Sequence, residues 1–453
     1  MTTRMPMVQT MRQLQGIAEA RLPMQRLPIP VQLMKVWQRK WMKPTCVLQP
    51  RKPHLPSFSP VAMAGRPFLF VPGPTNVPDR IMRAMHRAMQ DHRSSAFPKL
   101  TRSVLDRLPQ VFGLTGGEVF VFACSGTGMW EAALTNALNP GDKLLAVRFG
   151  QFSHLFIHNA RALGYTVDVI EAPWGDSIPV DKLEAALAAD TSHGYKGVLA
   201  VHNETATGVT ADIGAVRGAL NRANHPALLF VDGISSIGSL AFKADEWGVD
   251  FSIAGSQKGF MMPAGLGVVA VSAKARPFVD NSTSARAYFD MRPMRVQNAV
   301  GSFPYTPALS HLFGLEEALN MMEEEGLPNV YARHHYLASG ARAAIHAWGL
   351  KLCAVRPELY SNTVSAVMTP EGHDAATTID IAFRRYDLSL GAGLGELGGR
   401  AFRIGHLGDL NPLMLAGALS GVEMALNDSG IPVELGKGVG AALMYWRANA
   451  PKA

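Results

Sequence analysis

Cysteine is scarce in this chain of 453 residues, and the three that occur, Cys46, Cys124 and Cys353, lie far apart. Their spacing excludes a zinc site of the CxxC type and a disulfide framework, so we expect no metal and a reducing compartment. Long apolar runs are missing as well, which argues against a transmembrane helix and a membrane partner. The composition, 47% hydrophobic and 17% charged, is otherwise that of a globular protein with a large core.

Acidic residues are almost absent from residues 1–65, which contain ten Lys or Arg residues and one acid, Glu19. The formal net charge of +7 therefore comes from this segment, because the rest of the chain has 33 basic and 35 acidic residues. A body so close to neutral gives no support to nucleic-acid binding.

Prolines are dense in the same segment, at positions 23, 28, 30, 44, 50, 53, 56 and 60. That density prevents a long helix, so we expect a mostly disordered N-terminal extension. Its basic, acid-poor composition resembles a transit peptide for the mitochondrion or another organelle, although serine is scarce. The preferred interpretation is a start assigned too early, with translation beginning at Met63 and a cytoplasmic product.

From Phe68 onward, short apolar runs alternate with helical patterns. The runs are EVFVFA, KLLAV, TVDVI, GVLAVH, ALLFVD and GLGVVAVS, and the helical stretches include GMWEAALTNAL, QFSHLFIHNARAL, VDKLEAALAA and DIGAVRGALNRA. Strands without internal alternation, separated by helices, are typical of a mainly parallel sheet covered on both faces. We predict a large α/β domain over residues 66–315 and a smaller C-terminal α+β domain over residues 316–453.

Small residues follow the first run of the large domain, in the stretch CSGTGMWEAAL. Ser125, Gly126 and Thr127 precede a helix whose first amides and dipole favour an anion, so this turn is a candidate phosphate site. It also fits a strand–helix turn that needs no ligand, with Thr127 as the N-cap. A dinucleotide fingerprint is disfavoured, because Glu131 occupies the place of its third glycine.

Two ionisable residues follow further along the same domain. Asp232 ends the run ALLFVD, where it is suited either to pair with a protonated ring nitrogen or to cap the next turn. Lys258 lies among small and apolar residues in FSIAGSQKGFMMPAGLG. It is either a solvated surface lysine or a nucleophile kept near neutrality that reacts with a carbonyl group.

Ligands of open α/β sheets bind beyond the carboxyl ends of the strands, where all of these residues are expected to lie. A phosphate turn, an acid and a lysine in that region are the three elements that pyridoxal phosphate requires. The set therefore predicts a pyridoxal phosphate site.

The chain resembles the class V aminotransferases of fold type I, and most closely those of the serine–glyoxylate and alanine–glyoxylate type. The resemblance extends from Phe68 to the 420s. Its motifs are FVPGPTNVPDRI, QDHRSSAFPKLT, SGTGMWEAAL, VHNETATGV, VDGISSIG, GSQKGFMMPAGLG, FPYTPA and FRIGHLGDLNP.

The resemblance implies a role for each matching cofactor residue. Lys258 would bind the cofactor covalently, and Asp232 would pair with its ring nitrogen. The phosphate would be bound by Ser125, Gly126, Thr127 and Gln257.

It also implies contacts to the ring. Phe152 would stack on the ring, although a phenylalanine on an apolar helix face also fits a core position. Thr205 would bond near the 3-hydroxyl, and Ile234 would pack against the ring. Thr306 would reach the phosphate of a neighbouring subunit, so that a homodimer would share its active sites.

For the substrate, the resemblance implies that Arg403 binds the α-carboxylate, since a guanidinium matches a carboxylate with two parallel hydrogen bonds. The other interpretation of Arg403 is a strand-edge arginine paired with an acid such as Asp409. The implied reaction is transfer of the amino group of a small amino acid, L-serine first, to glyoxylate. Alanine–glyoxylate and serine–pyruvate transfer are alternatives.

Three other functions are weighed against this one. A cysteine desulfurase needs a reactive cysteine on a mobile loop and a histidine before the lysine, whereas Gln257 precedes Lys258 here. A nicotinamide-dependent oxidoreductase needs the complete glycine fingerprint. A non-catalytic binding protein would carry no cofactor.

Overall fold

The computed structural model describes residues 65–450, so the predicted N-terminal extension lies outside the described residues except for Gly65. The strands are β1 (Phe68–Phe70), β2 (Gly117–Phe122), β3 (Lys143–Arg148), β4 (Thr166–Glu171), β5 (Tyr195–Val201), β6 (Asn203–Glu204), β7 (Val209–Thr210), β8 (Leu228–Asp232), β9 (Phe251–Gly255), β10 (Gly267–Ser272), β11 (Lys351–Leu352), β12 (Val364–Met368), β13 (Leu388–Ala392) and β14 (Ala401–Gly405).

Helices separate most of these strands. They are α1 (Asp79–Met85), α2 (Phe97–Leu105), α3 (Leu108–Val111), α4 (Gly126–Ala137), α5 (Gln151–Ala162), α6 (Val180–Ala189), α7 (Ile213–Arg222), α8 (Arg276–Asn281), α9 (Met291–Ala299), α10 (Leu309–Glu325), α11 (Leu327–Ala347), α12 (Ala375–Tyr386), α13 (Pro412–Asp428) and α14 (Lys437–Ala448). Within residues 65–450, no helix is long and apolar enough to cross a membrane.

The larger sheet has seven strands in the order β2-β10-β9-β8-β5-β3-β4. Neighbouring strands are parallel except at β10, which is antiparallel to both β2 and β9. Every strand but β10 therefore points the same way, as the predicted mainly parallel sheet requires. The prediction omits β9, whose sequence FSIAG includes serine and glycine and gives a weaker apolar signal.

Both faces of this sheet are covered, because alternate residues of each strand enter different cores. In β8, Leu229 and Val231 lie in one buried cluster, and Leu228 and Phe230 lie in the other. Burial on both faces explains why the strand sequences are apolar throughout rather than alternating.

A second sheet of five strands has the order β1-β13-β14-β12-β11 and packs with α11 to α14. Its strand β1 comes from the start of the described chain and pairs in parallel with β13, Phe68 opposite Leu388. The segment after β1 consequently passes from this sheet to the larger one. The predicted domain boundary at residue 315 falls within α10.

One buried carboxylate holds the C-terminal helix in this part of the protein. Glu423 of α13 is only 3% exposed and accepts hydrogen bonds from the Trp348 indole (2.8 Å) and from the amides of Gly436 (2.6 Å) and Gly438 (2.7 Å). Three donors satisfy a charge that would otherwise be costly to bury.

Candidate active site

The carboxyl ends of five parallel strands of the seven-stranded sheet bring the predicted residues to one edge. This follows from the sheet order, since β2, β3, β5, β8 and β9 share a direction. The side chains at or just beyond these ends belong to Ser125, Phe152, Thr205, Asp232 and Lys258.

Lys258 is buried, with 9% of its surface exposed, so it is not the solvated lysine of the alternative interpretation. Its ammonium donates a hydrogen bond to the carbonyl of Pro72, in the segment that follows β1. Glycine is required at position 73 for two reasons. A Cβ there would overlap the lysine side chain, and the φ of +99° is a conformation that other residues rarely adopt. Burial, with the nearby positive charge of Arg403, lowers the pKa of Lys258 to about 8.

Asp232 ends β8 and is 4% exposed. One carboxylate oxygen accepts the amide of Ile234 at 2.8 Å, so the residue does cap the following turn as well as facing the site. Burial raises the pKa of its carboxyl to about 7, with the negative charge of Glu204 adding to the effect. A carboxyl with this pKa is suited to share a proton with a basic ring nitrogen.

The candidate phosphate turn has the form that an anion site requires. Ser125, not Thr127, is the N-cap of α4, and its side chain makes no capping bond, so its hydroxyl and the amides of Gly126 and Thr127 remain available. Gly126 packs so closely against Ile234 that a Cβ there would overlap it. Beside β9, the Gln257 Oε1 is buried and has no hydrogen-bond partner within residues 65–450. Because a phosphate anion accepts hydrogen bonds, Gln257 would contribute to such a site through its NH2 group and not through Oε1.

Arg403 reaches the site from the second sheet. It lies on β14, between β13 and β12, and is 7% exposed. Its Nε donates to the Ala392 carbonyl (2.8 Å) and its Nη1 to the Thr205 carbonyl (3.2 Å). The predicted alternative is wrong, because β14 is not an edge strand and no ion pair joins Arg403 to Asp409 or to another described carboxylate. Burial lowers the pKa of Arg403 to about 10, and its Nη2 has no partner within residues 65–450.

Two groups that contact the predicted site residues have no role in the sequence-based prediction. Glu204, next to Thr205, is fully buried and its carboxylate accepts the amide of Phe152 at 3.1 Å. The sequence signal is an acid within the small and apolar residues of VHNETATG. The Pro72 carbonyl, in contrast, is a backbone group and gives no side-chain signal.

Thr205 and Phe152 have defined surroundings. The Thr205 hydroxyl donates to the Ser235 hydroxyl at 2.6 Å, and Ser235 in turn donates to the Asn203 carbonyl at 2.9 Å. Phe152, at the start of α5, and Ile234 are both partly buried against the same hydrophobic cluster. Phe152 thus has the core contacts of its alternative interpretation and is also placed at the sheet edge.

Thr306 does not join this group within the described chain. It is exposed, in the segment between α9 and α10, and no described hydrogen bond connects it to Lys258 or Asp232. Its role depends on a second subunit and stays a prediction.

The described cysteines do not support desulfurase chemistry. Burial raises the pKa of Cys124 to about 12 and that of Cys353 to about 11, so both thiols are protonated and weakly nucleophilic at neutral pH. Within residues 65–450, no group of three His, Cys, Asp or Glu side chains is arranged to hold a metal ion.

Replacing Asp232 with asparagine should stabilise the cofactor-free protein at high pH. The carboxyl has a pKa of about 7 in the folded protein and about 3.9 in the unfolded chain, so the folded state loses stability as pH rises from about 4 to about 7. We expect Asp232→Asn to exceed wild type in free energy of unfolding by a few kcal/mol at pH 8.5 and to approach it near pH 5, measured by urea denaturation.

Asp250 provides the control for this experiment. It is equally buried, pairs with Arg217 at 2.9 Å and accepts the Leu229 amide at 2.8 Å, so Asp250→Asn should lower stability at both pH values. An Asp232→Asn protein that is no more stable than wild type at pH 8.5 contradicts the raised pKa.

Comparison with known proteins agrees with this geometry. The chain matches the family model "Aminotransferase class-V" over residues 68–382. A serine–glyoxylate aminotransferase of Methylorubrum extorquens is 57% identical over 390 residues, which are 85% of this chain and 97% of that protein. An L-aspartate–glyoxylate aminotransferase of Paracoccus denitrificans is 49% identical over 385 residues, 85% of this chain and 97% of that protein.

Among solved structures, a pyridoxamine–pyruvate aminotransferase from Mesorhizobium loti is similar, with a TM-score of 0.79 at 27% identity. The match covers 85% of this chain and 98% of that one. These findings confirm the predicted resemblance and the predicted fold class, an α/β protein of fold type I with a mainly parallel central sheet. The chain belongs to the class V aminotransferases.

Proposed function

We propose that this protein is a pyridoxal phosphate-dependent aminotransferase that transfers the amino group of L-serine to glyoxylate, giving hydroxypyruvate and glycine. The observation that carries the proposal is the convergence of three buried groups, Lys258, Asp232 and Arg403, at one sheet edge. Serine as donor is supported by the relative that is 57% identical and is named for that reaction.

The residues present fit pyridoxal phosphate. The uncapped start of α4 offers N–H donors for a phosphate group, which Ser125, Gly126, Thr127 and the NH2 group of Gln257 would hold. When bound, the cofactor supplies an electrophilic carbon and a ring that withdraws electrons from the substrate. Asp232 would keep the ring nitrogen protonated, Phe152 and Ile234 would border the ring, and Thr205 would bond near its hydroxyl.

Lys258 is suited to two tasks. Its lowered pKa, about 8, leaves part of the population as free amine at neutral pH, which nucleophilic attack on an aldehyde requires. The same amine would take the proton from the substrate Cα as general base and donate it, as general acid, to the cofactor carbon that carries the amino group. The Pro72 carbonyl orients the amine before the cofactor binds.

Arg403 would bind the substrate carboxylate. Two of its nitrogens are fixed by backbone carbonyls, and Nη2 is left to donate outward, so the guanidinium is oriented in advance. The site admits an amino acid and then a 2-oxo acid in turn, and this predicts ping-pong kinetics.

A homodimer with shared active sites is part of the proposal. Thr306 is exposed and lines a small surface cavity with Tyr288, Phe303 and Tyr305, where a second copy of the chain can approach it. In that arrangement the Thr306 hydroxyl would donate to the phosphate group bound by the neighbouring subunit.

The first test is an absorption spectrum of the purified protein after incubation with pyridoxal phosphate. We expect a visible band that disappears with L-serine and returns with glyoxylate, because each half-reaction changes the cofactor. L-alanine and L-aspartate serve as parallel donors, and pyruvate as a parallel acceptor. A stronger response to alanine or aspartate would change the assigned amino donor. A protein that stays colourless would refute the proposal that it is a pyridoxal phosphate enzyme.

Arg403→Lys should raise the KM for L-serine more than it lowers kcat, because lysine cannot make the same pair of directed bonds. We expect kcat/KM to fall roughly 30- to 100-fold, the usual cost of impairing a buried charged pair.

Arg342→Lys is the matched control. Arg342 also has a pKa lowered by burial to about 10 and also donates to a backbone carbonyl, that of Ser361, but has no assigned role. Equal losses in both variants would refute the role of Arg403.

The role of Thr306 can be tested by mixing two defective subunits and measuring activity at a pyridoxal phosphate concentration too low to fill the Thr306→Val protein. A hybrid of Lys258→Ala and Thr306→Val chains contains one intact site if Thr306 acts across the interface. We expect Thr306→Val alone to weaken cofactor binding about tenfold, and the refolded mixture to regain activity. A mixture of Lys258→Ala and Asp232→Ala chains is the control, since both residues act within their own chain. Recovery in neither mixture would place Thr306 outside the partner's site.

A further inference from the structure

Glu204 is the buried charged group whose surroundings the mechanism leaves unexplained. It ends β6, is 0% exposed, and forms no ion pair with a cation within residues 65–450. Its carboxylate instead accepts three backbone amides, those of Phe152 (3.1 Å), Ser153 (2.8 Å) and Ala206 (3.1 Å). Two of these donors belong to the first turn of α5, so Glu204 supplies the acceptor that this helix end needs.

The sequence around α5 is adapted to this contact. Gly150, the residue before the helix, has no side chain with which to cap it, and a Cβ there would overlap the Glu204 side chain. Its φ of 178° is extended and suits any residue, so the requirement for glycine is steric. Glu204 can reach the helix amides only because residue 150 has no side chain.

Glu204 also connects to the other side of the site. The next residue, Thr205, provides the carbonyl that accepts Arg403 Nη1 at 3.2 Å. The negative charge of Glu204 helps to raise the pKa of Asp232 and opposes the fall in the pKa of Arg403, so both groups lie within its field. One short segment therefore contacts the start of α5 and the Arg403 guanidinium.

We propose that Glu204 is a positioning residue whose carboxylate fixes Phe152 relative to Asp232 and Arg403. The proposal rests on the proposed function, since Phe152 is assigned there to the cofactor ring. The competing interpretation is a helix cap that contributes to stability alone.

Two variants perturb Glu204 in different ways. Glu204→Gln keeps the size and one acceptor oxygen but removes the charge, whereas Gly150→Ala keeps the charge and displaces the side chain. Glu423→Gln is the matched control, because Glu423 is also a buried carboxylate with three N–H donors but belongs to the C-terminal helices. The readouts are the visible circular dichroism of the bound cofactor, the pH midpoint of its absorption band, KM and kcat for L-serine, and the melting temperature.

We expect Gly150→Ala and Glu423→Gln to melt at lower temperature than wild type, whereas Glu204→Gln loses an acceptor oxygen but also removes a buried charge, and burial raises the pKa of this carboxyl. Only Glu204→Gln and Gly150→Ala should change the circular dichroism of the cofactor, raise the KM for L-serine and reduce kcat/KM about tenfold or more, as misplaced binding groups do. The pH midpoint should shift with Glu204→Gln more than with Gly150→Ala, because only the former removes the charge.

The outcome that overturns the proposal is a Glu204→Gln protein whose melting temperature changes while its dichroism, pH midpoint and KM match wild type. Glu204 would then be a cap alone. A wild-type protein that binds no cofactor is a different result, because it refutes the proposed function itself and removes the basis for positioning.

Discussion

The burial of four charged side chains beside one another is the constraint on which the rest of this structure depends. Lys258, Asp232, Glu204 and Arg403 are each 9% exposed or less. Charges removed from water are expensive unless they are paired and hydrogen-bonded. The formal charges of two cations and two carboxylates cancel, yet no described pair of these side chains lies within ion-pair distance. Each charged group must therefore be hydrogen-bonded separately by backbone groups.

The fold provides those backbone groups at the junction of its two sheets. The Pro72 carbonyl, which accepts from Lys258, follows a strand of the second sheet, and the carbonyls that accept from Arg403 belong to Ala392 and Thr205. The carboxylates receive amides instead, from Ile234 and from the start of α5. Because the satisfying groups are backbone, the charges are held in place without being neutralised, and they remain able to bind a substrate or cofactor.

Much of this could be predicted from the sequence, because parallel strands place their carboxyl ends on one edge. Uniformly apolar runs such as ALLFVD identify buried strands, and Asp232 and the turn at Ser125 follow such runs directly. The family motifs then assign Lys258 and Arg403. The contribution of β1 to the second sheet was not predictable, because a strand of three residues is too short to show a hydrophobic pattern that would indicate its partner strand. Nor was the Ser125 cap, because both serine and threonine are common N-cap residues and only the backbone geometry shows that the helix begins after Ser125.

The role of Glu204 could not be predicted from the sequence for a different reason, which a comparison with Glu423 explains. Both are buried glutamates that accept three N–H donors. A Cβ on Gly150 would overlap Glu204 itself, and a Cβ on Gly438 would overlap the Trp348 indole that donates to Glu423. Local chemistry cannot distinguish them. What differs is the element that each one holds, since Glu423 anchors the C-terminal helix and Glu204 anchors a helix whose second residue borders the Asp232 edge of the sheet. Whether a buried glutamate has a positioning role therefore depends on where the helix that it holds lies in the protein. That location is known only from the three-dimensional structure.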